Sequence, residues 1–168
     1  MKRILVIGSG GAGKSTFARR VGERLGLKVL HLDAFYWRPG WVETPKDEWR
    51  LKVEEMCAGE SWVMDGNYSD TLDVRLAACD AVIFLDLPRT LCLWRVVKRA
   101  LIYRGTSRPD VAEGCHENLN MEFFLWVWNY PKHSKTKVLS RLEEHGRGKQ
   151  IFILRSSAEV EKFLAEIR

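Results

Sequence analysis

The sequence predicts an α/β protein, in which a five-stranded parallel sheet is covered by helices on both faces as a three-layer α/β/α arrangement. Three observations carry this reading. Five apolar runs of strand length recur along the chain, helical segments with recognisable ends lie between them, and the runs are apolar on both faces. A strand with two apolar faces needs cover on both sides, which helices flanking a parallel sheet supply.

The first run is "RILVIG", Arg3 to Gly8. A helix is expected from Lys14 to Leu25, since Phe17, Val21 and Leu25 recur at i, i+4 and i+8 and Gly26 follows as a stop. The second run, "LKVLHLD", ends on Asp33. In "TPKDEWR" Thr44 suits an N-cap and Pro45 the first helical position of a helix running toward Gly59. The third and fourth runs are "SWVMDG" and "DAVIFLD", and Pro88 opens a helix after the latter. From Tyr103 to Glu122 the rhythm breaks into a polar stretch holding Gly105, Pro109 and Gly114, followed by an aromatic helix, "EFFLWVWNY". This lid-like insertion, about residues 100–132, reads either as a mobile lid or as a surface excursion. "QIFILR" is the fifth run, and "SSAE", Ser156 to Glu159, is a capping-box pattern for the final helix.

Composition sets the bounds. The chain has 168 residues, 46% hydrophobic and 29% charged with five prolines, so one domain spanning residues 1–168 with its own core is expected. The net charge of +5 suits polyanionic ligands and a solvated surface equally. Cys57, Cys79, Cys92 and Cys115 stand apart without zinc-ligand spacing, which fits a reduced protein. The apolar run of "MKRILVIG" ends too soon for a signal-peptide core, and no stretch reaches the roughly 18 apolar residues of a membrane span, so a cytoplasmic protein is expected.

The glycine-rich stretch after the first run carries the chemistry. Gly8-Ser9-Gly10-Gly11-Ala12-Gly13-Lys14-Ser15 fits G-x-x-x-x-G-K-[ST], in the strand, loop and helix context that a phosphate-binding loop requires. Glycines let the backbone bend and bring its amides close to an anion. The start of the helix adds its positive dipole end, Lys14 suits the outer phosphates, and the Ser15 hydroxyl suits magnesium. Gly8 through Thr16 are therefore the candidate residues for ATP and its Mg2+.

Other residues fill the remaining roles of phosphoryl transfer. Asp65, ending the third run ahead of a Gly66-Asn67 turn, is the favoured magnesium carboxylate; Asp86 is the runner-up, and helix capping is the alternative for either. Asp33 suits orientation or deprotonation of an acceptor, or equally a turn. His31 reads as a satisfied core histidine. Arg95 and Arg99, four apart on one helix face, suit charge stabilisation of the transferring group, with Arg104 and Arg108 continuing into the polar insertion. Solvated surface charge is the alternative for all four. Arg75 holds either a substrate anion or a place on the surface. Trp37, Trp41 and Trp49 suit stacking on a base or packing between helices, and Phe123 to Tyr130 suits core or a subunit contact.

These residues together resemble the small P-loop kinases of the adenylate kinase and shikimate kinase type: "GSGGAGKST" is similar to their phosphate loop, "WVMDGNY" to the turn after their third strand, and "LWRVVKRALIYR" to their arginine-bearing lid helix. "HLDAFYWRPGWVETPKDEWR", "WVMDGNYSDTLDVRL" and "FLDLPRTLCLWRVVKRALIYRG" resemble more closely the bacterial adenylate kinase-like proteins labelled topology modulation proteins. The resemblance implies a P-loop NTPase fold with sheet order 2-3-1-4-5, ATP and magnesium, and an acceptor pocket after Asp33. Where adenylate kinases have Asp-Gly-Phe-Pro-Arg, this chain has Asp65-Gly66-Asn67-Tyr68-Ser69, without the arginine that would grip a nucleotide's phosphate.

The expected function is ATP-dependent transfer of a γ-phosphoryl group to a small acceptor, with nucleotides and nucleosides as candidates, by a monomer or homodimer. The alternative is a nucleic-acid-binding ATPase that modulates DNA topology, motivated by the +5 charge and the arginine run. A nucleotide-controlled switch is a third reading, and the missing N-K-x-D sequence argues against its GTPase form.

Overall fold

The computed structural model describes residues 1–117 and 120–167; Asn118 and Leu119, within the polar insertion, lie outside the described residues. The elements are β1 (Arg3–Gly8), α1 (Lys14–Leu25), β2 (Val29–His31), α2 (Leu32–Tyr36), β3 (Trp37–Arg38), β4 (Val42–Glu43), α3 (Lys46–Cys57) and β5 (Trp62–Asp65). After a 3-10 turn at Ser69–Thr71 come α4 (Leu72–Ala78), β6 (Ala81–Leu85), α5 (Arg89–Ile102), α6 (Met121–His145), β7 (Gln150–Leu154) and α7 (Ser157–Glu166). Five strands form one parallel sheet in the order β2-β5-β1-β6-β7, while β3 and β4 pair as a separate antiparallel ribbon. Counted among the sheet strands alone, that order is 2-3-1-4-5, as the resemblance implies.

The strands are apolar on both faces because both faces are covered. Along β1, Ile4 and Val6 join a core with Phe17, Val21, Val96 and Leu164, while Leu5 and Ile7 join the opposite core with Trp49, Val53, Leu76 and Leu142. Side chains alternate across a strand, so one run of four apolar residues feeds two cores. Each fully buried aliphatic side chain contributes about 1.5–3 kcal/mol.

Three local expectations are corrected. The second apolar run makes a strand of only three residues, and Leu32 and Asp33 begin α2 instead of extending β2. Leu32 turns inward there, packing so tightly beneath Gly66 that a Cβ on Gly66 would stand 2.8 Å from the Leu32 Cβ. Thr44 does not cap α3: its hydroxyl and its amide both donate to the Tyr36 carbonyl, closing the β3–β4 ribbon, and Pro45 occupies the N-cap position. Arg75 neither binds an anion nor lies on the surface. It is fully buried, and its guanidinium donates to the carbonyls of Thr71, Gly66, Asn67 and Tyr68 at 3.3, 2.9, 3.1 and 2.6 Å.

Burial lowers the Arg75 pKa to about 10, yet its guanidinium donates to three successive carbonyls of the turn after β5, those of Gly66, Asn67 and Tyr68. Removing it strands those acceptors in the interior. Arg75→Ala is therefore expected to destabilise the fold by about 3–5 kcal/mol, read as a lower urea midpoint. A loss under about 1 kcal/mol would show that the turn does not depend on it.

Candidate active site

A cleft of about 1530 Å³ opens at the carboxyl ends of β1, β2 and β5. Ligands of open parallel sheets bind at that edge, where strand order reverses. Of the residues expected at the site, Gly10 through Thr16, Asp33, Asp65, Arg95 and Arg99 all line the cleft. Gly8 ends β1 and Ser9 is buried behind the loop, so these two support its backbone.

The loop's glycines answer to specific geometry. Gly11 has φ +75°, and a Cβ there would lie 2.2 Å from the Cys92 carbonyl oxygen of α5. Gly13, with φ +90°, is the N-cap of α1 and offers no side chain to the first-turn amides. Those amides and the positive end of the helix dipole therefore face the cleft, an arrangement that suits phosphate. Phe123 and Val127 of α6 pack on Gly10 from the other side, and the Gly8 amide donates to Asn67 Oδ1 at 3.2 Å.

Lys14 Nζ donates to the Ser9 carbonyl at 3.0 Å. Burial lowers the Lys14 pKa, and the carboxylates of Asp33 and Asp65 oppose that shift. Ser15 Oγ donates to Asp65 Oδ2 at 2.9 Å, while the other oxygen of Asp65 holds His31 Nδ1. Burial works against a proton on His31, but the bond and charge of Asp65 outweigh it and raise the pKa. His31 is held by the cleft carboxylate, but it is half-buried and lines the cleft, so it is not the core histidine that the sequence suggests.

Strand register explains the meeting: Asp65 on β5 sits beside Val6 of β1 and His31 of β2. Asp86, the runner-up, instead pairs with Lys135 at 2.7 Å away from the cleft lining. Ser15 and Asp65 present a hydroxyl and a 4%-exposed carboxylate, the hard oxygen donors that magnesium takes beside phosphates and water. Among the described residues no three His, Cys, Asp or Glu converge as a self-sufficient metal cage.

Asp33 Oδ1 accepts from the Tyr68 hydroxyl at 2.6 Å. Burial raises the Tyr68 pKa, and the Asp33 charge raises it further, so Tyr68 stays a donor. Tyr36 lies between Trp37, Trp49 and Tyr68, with ring centroids 4.9, 5.1 and 4.5 Å away, and Trp41 meets Trp37 at 5.4 Å. This aromatic wall faces the cleft beside Asp33.

Arg95 Nη1 donates to the Ala12 carbonyl at 3.2 Å, lying directly on the loop. Arg99 and Arg108 enter the cleft together, whereas Arg104 is exposed and takes no part in its lining. Asp110 and Glu117 of the insertion also line the cleft; neither follows any periodic pattern that would single it out from sequence.

No family model matches the chain. It is 31% identical over 124 residues to a protein named "Putative adenylate kinase" from Pyrococcus furiosus, covering 69% of this chain and 63% of that one. A second protein of the same name, from Thermococcus gammatolerans, is 28% identical over 123 residues, covering 69% and 64%. The chain therefore spans just under two thirds of the length of the curated relatives it matches. Among solved structures, a shikimate kinase from Acinetobacter baumannii in complex with shikimate matches with a TM-score of 0.58 and 17% identity, covering 99% of this chain and 90% of that one. That match shows the P-loop NTPase fold, and the resemblance to P-loop nucleotide kinases is carried by the curated relatives.

The loop geometry itself is testable. Gly11→Ala forces a side chain into a left-handed position and against the Cys92 carbonyl. It is expected to destabilise the protein by about 1–3 kcal/mol, seen as a shifted denaturation midpoint; an unchanged midpoint would contradict the packing of α5 on the loop.

Proposed function

We propose that this chain, a relative of the P-loop nucleotide and small-molecule kinases, transfers the γ-phosphoryl group of ATP to the hydroxyl of a small acceptor. One observation carries the reading: Lys14, the Ser15–Asp65 pair and Asp33 line one cleft, with arginines beside them. ATP supplies the transferable group, and magnesium at Ser15 and Asp65 would offset its charge.

The chain's own residues account for the rest. Loop amides and the α1 N-terminus hold the phosphates, and Lys14 exchanges its carbonyl partner for a stronger, charged one. Arg95 and Arg99 meet the charge that spreads over the transferring phosphoryl group. One oxygen of Asp33 is engaged by Tyr68, and the other accepts the proton of the attacking hydroxyl.

Asp33 also favours an alcohol over a phosphate as the acceptor. An alcohol must lose a proton to attack, whereas a phosphate monoester beside this carboxylate meets a like charge. Ser69 stands where adenylate kinases place an arginine, and Arg75 is consumed by backbone carbonyls. The aromatic wall suits an acceptor with a flat face, nucleosides included. We assign the reaction to the cytoplasm, in keeping with four buried, unbridged cysteines. No described helix is long and apolar enough to cross a membrane.

The test is a screen of nucleosides, nucleotides and small alcohols with ATP and magnesium, reading ADP release and identifying the phosphorylated product. Lys14→Ala is expected to keep the fold and lose transfer by about 10³-fold or more. Asp33→Asn is expected to keep ATP affinity and lose about 10²–10⁴-fold in turnover. Near-normal turnover by folded Lys14→Ala, or a phosphorylated nucleotide as the sole product, would overturn the proposal in its first or second half respectively.

A further inference from the structure

Glu117 is a carboxylate buried between two guanidinium groups, with 4% of its surface exposed. Its Oε1 stands 2.6 Å from Arg108 Nε and 3.2 Å from Arg99 Nε. The backbone at Glu117 is fixed on both sides: its amide donates to the Thr106 carbonyl at 2.9 Å, and its carbonyl accepts from the Gly105 amide at 3.3 Å. Burial lowers the Arg99 pKa and the neighbouring Arg108 charge lowers it further, so the two cations repel one another at this spot. Without an anion between them, solvent would draw them apart.

The point of attachment matters. Each arginine meets Glu117 at its Nε as an ion pair without hydrogen-bond geometry, since Oε1 and both Nε atoms have no hydrogen-bond partner among the described residues. Arg108 Nη1 reaches Asp110 at 2.8 Å, while among the described residues neither terminal nitrogen of Arg99 has a hydrogen-bond partner. Both arginines line the same cleft as Lys14 and Asp33. A pair of cations held together by one carboxylate, in a cleft that all three line and with donors left over, is arranged for an anion of higher charge than a carboxylate.

From this juxtaposition we propose that Glu117 is a positioning residue, holding Arg99 and Arg108 side by side so that their terminal nitrogens meet the phosphoryl group during its transfer. The inference rests on the proposed kinase reaction and adds to it a residue that touches neither nucleotide nor acceptor. Because Glu117 is itself an anion, it does not strengthen ground-state binding of a nucleotide. Its effect belongs to the transition state, which a holding role in the fold alone would not produce.

The experiment compares calorimetric affinity for magnesium-ADP with affinity for magnesium-ADP plus aluminium fluoride, a planar mimic of the transferring group. Wild-type protein is expected to bind the mimic complex at least about 100-fold more tightly than ADP alone. In Glu117→Gln, ADP affinity is expected to stay within about threefold while that increment falls at least about tenfold. Glu117→Asp keeps the charge but is one methylene too short to reach both Nε atoms, so the same loss is expected; it carries the test if the glutamine variant does not fold. In an Arg99→Lys background, Glu117→Gln is expected to cost less than about threefold more, since the two act as a unit.

An increment preserved in folded Glu117 variants, or one lost only in parallel with ADP affinity, overturns the inference while leaving the kinase reading intact. So does a wild-type protein that binds ADP without any increment. A wild-type protein that binds no ADP overturns the kinase reading, and this inference falls with it.

Discussion

The placement of one carboxylate organises the whole site. Asp65 ends β5, the strand lying between β1 and β2, and its two oxygens reach Ser15 at the head of α1 and His31 at the end of β2. This three-point junction exists only because the sheet runs parallel in the order β2-β5-β1, which brings all three carboxyl ends to one edge. An antiparallel pairing would send neighbouring strands' ends to opposite edges. Fold and chemistry are coupled through that register: slip β5 by one residue and Asp65 points into a core instead of the cleft.

A second constraint is how the protein keeps charge in its interior. Among the described residues no carboxylate pairs with Arg75; backbone carbonyls surround it and lock the Gly66–Tyr68 turn behind Asp65. Arg99 and Arg108 take the opposite solution and share a buried acid, Glu117. The first arrangement uses up its donors and is structural. The second leaves the terminal nitrogens of Arg99 without a hydrogen-bond partner among the described residues, in the cleft that the phosphate loop also lines, and that surplus marks a candidate site.

Much of this was legible in the sequence because local rules carried it. The phosphate loop needs glycines where a side chain is strained, and Gly8 and Gly13 of the G-x-x-x-x-G-K-[ST] pattern stand at φ +151° and +90°, so the pattern announces the loop without any tertiary knowledge. The five apolar runs mark the five sheet strands because two-sided burial removes polar alternation. The turn after Asp65 favours it over Asp86 in the sequence, and in the fold Asp65 accepts a hydrogen bond from Ser15. The misses turn on partners that helix and strand spacing rules do not reach. Nothing local distinguishes Arg75, whose partners form a turn seven to nine residues earlier, from a surface arginine on α4. Thr44 has the chemistry of a cap, and only the β3–β4 ribbon shows that its hydroxyl is already engaged. Glu117 gains its meaning from arginines elsewhere in the fold, a relation that no spacing rule encodes.

In the proposed reaction the turn between β1 and α1 grips a nucleoside triphosphate with magnesium alongside. Isothermal calorimetry of the folded protein with ATP, with and without magnesium chloride, tests it most directly. Uptake of one ATP per chain is expected, tighter when magnesium is present. Absence of any saturable ATP binding by folded protein at millimolar nucleotide and magnesium would contradict it.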